Sequence, residues 1–281
     1  MKKCIIILIF LINNFNAKSE EINKEWLNLD YKFFEYFNIL LSTEIYTIND
    51  INLNKFNKDR NSISDLGFGY KLMFLEAYGG YSRIGISLIL KESQVITYRI
   101  NISSSKNVWI EHVKKYKFYM LNNVVLDSFG LVQDFSTYDK IDEINRNYSA
   151  NLGQFDKLSI PKKITQDYYF LVNPFNNFDY GTICGVGASK PLGREALENI
   201  LNYDDPKILE NILVSINPVG RIYAIEGLFK NHSWEIKDKN KYSDILEKIY
   251  SLKFEIPLCR TCEEQYKVIS SPEDLYETLY Y

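Results

Sequence analysis

Apolar residues along this chain change period, and the changes divide it into parts. Over 20–41, Ile22, Trp26, Leu29, Phe33, Phe37 and Leu40 recur along one stripe, which predicts an amphipathic helix with that stripe inward. Residues 49–65 are polar and rich in Asn, a connecting loop. The period then falls to two. Phe68, Tyr70, Leu72 and Phe74 alternate with their neighbours, as do Ile84, Ile86, Leu88 and Leu90 after Gly79-Gly80. Ile96, Tyr98, Ile100 and Ile102 follow beyond a Lys91-Glu92-Ser93 turn. This is the pattern of an antiparallel meander with one apolar face, for which the 20–41 helix is the cover. Residues 106–121 fit two descriptions: Trp109, Val113, Tyr116 and Met120 suit a helix, whereas 118–121 suit a strand. The helical period returns over 137–148, with Tyr138, Ile141, Ile144 and Tyr148 inward. Ser136 and Asp139 stand at capping-box spacing, Gly153 fits past the helix end, and Pro161 marks a boundary.

From Pro191 to Lys230 the pattern becomes three short amphipathic helices, each opened by a proline. Leu192, Ala196, Leu197, Ile200 and Leu201 line the first; Ile208, Leu209, Ile212, Leu213 and Ile216 the second; Ile222, Ile225, Leu228 and Phe229 the third. Asp205 and Asn217 are good caps because their side-chain oxygens accept from first-turn amides, and a proline at the first helical position has no N–H to leave unpaired. Ala224 and Gly227 leave room for a close neighbour. The stretch NPVGRIYAIEGL resembles the second-helix consensus of HEAT-like helical repeats, with Arg221 as its arginine. The resemblance covers residues 191–230 only. Such repeats stack because none buries its apolar face alone, and their concave face binds partners. That is what the resemblance implies, and it brings Arg221 among the candidate binding residues.

The fold expected is α+β: an antiparallel meander with covering helices, then a mostly helical C-terminal part, closing with a helix at 242–252 and a short one after Ser271-Pro272. The N-terminal MKKCIIILIFLINNFNA has two lysines, an apolar run too short to span a bilayer, and a small residue at Ala17. It reads as a signal peptide, cleaved after Ala17. The domains expected are then a signal peptide at 1–17, an α+β domain at 18–160, and a helical domain at 161–281 with a cysteine-containing tail. No other stretch is long and apolar enough for a transmembrane helix, so the mature protein is expected to be periplasmic or secreted. Losing Lys2 and Lys3 leaves 31 basic against 36 acidic residues and a net charge of −5, with no basic block; this argues against a nucleic-acid partner.

Export gives the cysteines their meaning. The mature chain holds Cys184, Cys259 and Cys262, and thiols in an oxidising compartment pair. A Cys259–Cys262 disulfide would close a tight loop. A bridge from Cys184 to either would close roughly 75 residues and stabilise by about 4 kcal/mol on the loop-entropy model. A thiol-active protein using Cys259-x-x-Cys262 is the first alternative, although the two glutamates that follow would raise a thiol pKa and no thioredoxin-like pattern surrounds the pair. Three cysteines with His232 make a zinc ligand set of unfamiliar spacing. No nucleophile elbow or phosphate loop occurs: GTICGVGAS and GVGASKPLG both miss the defining residues. His112 and His232, the only histidines, fit solvated or helix-terminal positions. Neither a metal nor a cofactor is expected.

One more cluster stands out. Residues 167–181, DYYFLVNPFNNFDYG, gather Tyr168, Tyr169, Phe175, Phe178 and Tyr180 among polar and turn residues. Exposed, such rings stack on sugars or anchor a protein; packed, they form an aromatic-rich joint between the two halves. With no catalytic motif, the function expected is a non-enzymatic interaction or structural role, with a protein or carbohydrate partner. A second alternative is an envelope carbohydrate-acting enzyme, whose two carboxylates need not be near in sequence.

Overall fold

A computed structural model describes residues 23–42, 45–104, 124–126, 130–134, 137–153, 158–176, 179–184, 189–231, 236–260 and 263–279. The expectations for 1–17, 106–121, Ser136, Phe178, Cys262, His112 and His232 therefore lie outside the described residues. The fold is α+β. Helix α1 (Lys24–Ser42) precedes β1 (Ser62–Gly67), β2 (Tyr70–Tyr78), β3 (Ser82–Lys91) and β4 (Gln94–Ser104). Strands β5 (Val124–Leu126) and β6 (Gly130–Asp134) complete an antiparallel sheet of order β1-β2-β3-β4-β6-β5.

The sheet is apolar on both faces at one end, not on one face as the alternation suggested. Met73, Leu75, Ile84, Ile86, Leu88, Tyr98, Ile100 and Ile102 pack with Phe34 of α1 and with Ile45, Ile51 and Phe56 of the connecting segment. On the other face Leu66, Tyr70 and Ile89, with Phe68, Leu72 and Ile96, join the core of the helical half. A bulge makes this possible. Ile89 lies opposite Thr97 and Leu90 opposite Val95, so Ile96 is an extra residue in β4 and turns to the opposite face from Val95.

Helix α1 covers the sheet with a different face from the one its apolar stripe predicted. Trp26 and Leu29 are about half exposed, whereas Asp30 and Phe34 are fully buried. The cause is the carboxylate of Asp30. It accepts from the backbone amides of Gly80, Tyr81 and Ser82 in the β2–β3 turn at 2.8–3.1 Å. A carboxylate so satisfied can be buried, and it sets the helix rotation. The turn must come close to do this: a Cβ on Gly80 would lie 2.2 Å from the Trp26 carbonyl oxygen.

The helical half follows with α2 (Tyr138–Ser149), α3 (Thr165–Val172), α4 (Leu192–Leu201), α5 (Pro206–Leu213), α6 (Pro218–Glu226), a π-helical turn at Gly227–Asn231, and α7 (Ile236–Ser251). Thr137 caps α2, accepting from the Lys140 amide. Prolines open α4, α5 and α6 as expected, Pro191 as the N-cap of the first and Pro206 and Pro218 inside the others. Asp205 and Asn217 cap through their side-chain oxygens. Two inward assignments fail: Leu192 and Tyr138 are exposed by half or more. Gly220 sits where α6 meets the end of α3, with no space for a Cβ beside the Leu171 carbonyl oxygen. The cysteine-containing tail is a hairpin, β7 (Phe254–Arg260) antiparallel to β8 (Glu263–Ile269), before α8 (Pro272–Leu279). Among the described residues no helix is long and apolar enough to cross a membrane.

Asp30→Ala strands three amide donors of a half-buried turn, so it is expected to cost about 2–3 kcal/mol in a urea-unfolding measurement. A loss below about 1 kcal/mol would mean the turn is held by other contacts.

Candidate functional site

Three of the predicted candidates, Tyr180, Cys184 and Cys259, meet at one place, the junction of α4, α6 and β7. Residues 179–184 run beside β7 there. The Tyr180 amide donates to the Pro257 carbonyl and the Cys259 amide to the Tyr180 carbonyl, both at 2.9 Å, a parallel bridge. Gly181 lies so close to the Cys259 carbonyl oxygen that a Cβ would come within 2.6 Å of it. Cys184 is fixed in turn by paired backbone hydrogen bonds with Ser189 (2.8 and 3.0 Å). This brings Cys184 and Cys259 to a Cα separation of 5.4 Å, and they form a disulfide. Of the pairings open from sequence, the long-range bridge is the one formed. Cys259 is buried; Cys184 is half-buried, with its Sγ 4.0 Å from Oδ2 of Asp179.

A buried ion pair lies beneath the same segment. Arg194, on α4, donates through Nη1 to Oε1 of Glu226 (2.6 Å), the last residue of α6, and through Nε to the Gly181 carbonyl (3.1 Å). The Tyr180 hydroxyl donates to the other Glu226 oxygen at 2.6 Å. The Tyr223 hydroxyl donates to the Asp179 carbonyl and accepts from the Gly181 amide. The Arg194 guanidinium lies over the rings of Tyr180 and Tyr223, at 5.7 and 5.2 Å. Burial would lower the Arg194 pKa, but the hydrogen bond and charge of Glu226 outweigh it and hold the group above its ordinary value. The Tyr180 hydroxyl is pushed up by burial and by the charge of Glu226 it faces, and the Tyr223 hydroxyl by burial. Neither phenol ionises near neutrality, so both act as neutral donors.

Three rings of the aromatic stretch are core. Tyr168, Phe175 and Tyr180 are less than 10% exposed, which leaves no open ring face for a sugar or a partner. Residues 165–172 form helix α3 rather than a linker. Tyr169 is half-buried, donates to Oδ2 of Asp142 (3.0 Å) and stacks on Tyr138 at 3.9 Å. The Arg99 guanidinium lies 5.5 Å over the Phe175 ring.

Arg221 is also internal, with no exposed surface at all. Its Nη1 donates to the Tyr148 hydroxyl (3.2 Å), which itself donates to the Leu66 carbonyl on β1. The rings of Phe254 and Tyr148 flank the guanidinium at 4.8 and 5.5 Å, while Nε and Nη2 are buried with no hydrogen-bond partner among the described residues. Arg221 therefore joins α6 to the sheet and presents nothing at a surface.

Chemically, the site is a staple beside a neutralised ion pair. Among the described residues the other buried carboxylates are similarly engaged, Asp30 by the turn amides and Glu76 by Arg83 and Tyr78. No family model matches the chain, and neither a curated protein nor a solved structure does so significantly.

Sequence reasoning missed Arg194, Glu226 and Asp179. A signal was present for the first two: Arg194 and Glu226 are opposite charges placed among the apolar positions of α4 and α6.

Glu226→Gln leaves the Arg194 charge buried without a counter-charge and is expected to cost about 3–5 kcal/mol. In Arg194→Met/Glu226→Leu both charges are gone, and unfolding should recover most of that loss. A double variant as unstable as the single one would show that the pair positions the chain through more than its charges.

Proposed function

We propose that the protein is an exported, non-enzymatic interaction or structural protein, whose HEAT-like helical half is a disulfide-stapled scaffold for a protein or carbohydrate partner. The observation that carries this is the Cys184–Cys259 disulfide, which ties the segment before α4 to the C-terminal hairpin. Persistent disulfides belong to oxidising compartments, in keeping with the signal-peptide pattern of residues 1–17.

The disulfide is also poorly placed for exchange chemistry. Attack is open at the more accessible Cys184, which requires Cys259 to leave as a thiolate from a buried position. Release of Cys184 instead would put a thiolate beside the Asp179 carboxylate. Both routes are penalised, which favours a structural bond over a thiol-active one. The buried carboxylates described above are tied into structural networks, which supports binding over hydrolysis.

Alkylation of the mature protein, unfolded without reductant, tests the reading by intact mass. A single reactive thiol is expected, with a peptide map joining Cys184 to Cys259 and an N-terminus at Lys18. Three reactive thiols would overturn the staple, and an uncleaved N-terminus after expression with an export pathway would overturn the compartment.

A further inference from the structure

We propose that Asp179, Cys184 and Cys259 form a redox-gated metal site, which takes a borderline-soft divalent cation, zinc by preference, when the disulfide is reduced. One carboxylate oxygen and the two sulfurs lie within 4.8 Å of one another. Two thiolates and a carboxylate are a donor set suited to zinc, and three protein ligands leave a fourth tetrahedral position for water.

The ligands are positioned by backbone contacts independent of the sulfur–sulfur bond. Asp179 precedes Tyr180, which is hydrogen-bonded to β7, and its carbonyl accepts from Tyr223. Cys184 is held by Ser189, and Cys259 lies within β7 itself. Reduction therefore leaves the three donors facing one another. Donors on one zinc ion stand about 3.6 Å apart, given zinc–sulfur bonds of about 2.3 Å, so the 4.0 Å between Asp179 Oδ2 and Cys184 Sγ has to close by only a few tenths of an ångström.

The chemistry balances with a dithiol or phosphine reductant. It supplies two electrons, the Cys184–Cys259 bond breaks, and two protons complete the thiols. The metal ion then displaces both protons and meets two thiolates and a carboxylate. The charge crowding that opposes metal-free reduction is what a divalent cation relieves. A small-molecule disulfide restores the bond: it takes up the two electrons and leaves as two thiols, while the metal ion is released and the Cys184 and Cys259 sulfurs rejoin. The site does not depend on export, only on the same two sulfurs being in reach.

The test uses mature protein carrying Cys262→Ser, so that the third thiol cannot contribute. After anaerobic reduction with a phosphine, cobalt(II) should bind at about one ion per chain with a thiolate-to-cobalt absorption band, and zinc should displace it. The oxidised protein should give no band. Asp179→Asn should weaken binding by about tenfold or more in reduced protein that circular dichroism shows to be folded. Absence of the band in reduced, folded protein overturns the site, as does an undiminished band in Cys184→Ser. The thiol count of the oxidised protein is read separately, so a failed titration of the reduced protein, in a preparation whose oxidised form showed the disulfide, rejects the metal site alone.

Discussion

The end of the sheet near the Gly67–Gly69 turn is apolar on both faces, and water has to be kept off each of them. Helix α1 and the segment after it cover one face, and the helical half covers the other. Leu66, Tyr70 and Ile89 thus share one apolar cluster with Leu171, Ile222 and Phe254. The Tyr148 hydroxyl, between Arg221 and the Leu66 carbonyl, is the polar link at that contact. Its pKa is raised chiefly by burial, so it stays protonated and available to donate.

The helical half pays for its internal charges in two different ways. Arg194 has a carboxylate, two flanking phenol rings and a backbone carbonyl. Arg221 has one phenol oxygen and two aromatic faces. Guanidinium is the cation best fitted to the second arrangement, because it is flat, weakly hydrated and stacks on rings. A lysine at either position would hold a compact, strongly hydrated charge where water is excluded.

Much of the fold was legible in the chain because period and punctuation agreed. The existence and order of the three central strands followed from their alternation between glycine or charged turns, and the prolines before α4, α5 and α6 coincide with their starts. Where reading failed, a polar group had gone inside. Asp30 breaks the apolar stripe of α1, yet its capture by the β2–β3 turn decides which face is buried. Strand β8 was missed because its face carries Glu, Gln, Tyr and Lys, the composition of an exposed edge. Residues 167–181 suggested a joint because their asparagines and proline fall at the far end, hiding the helix that precedes them. Of the site, both bonded cysteines were named in advance. Their pairing was not readable, since Cys262 is near Cys259 in sequence and only the fold shows that Cys184 lies within bonding distance of Cys259.

The staple also has a place in time. A chain made from its N-terminus completes the sheet early, through hairpins between neighbouring strands. Residues 179–184 have no strand to lie against until β7 is made, and the Cys184 thiol stays open to wrong partners over that interval. The 75 residues between Cys184 and Cys259 are the length of that wait. Cys262 arrives three residues after the correct partner. Wherever this chain is oxidised, Cys259 has two candidates, a cysteine 75 positions before it and one three positions after.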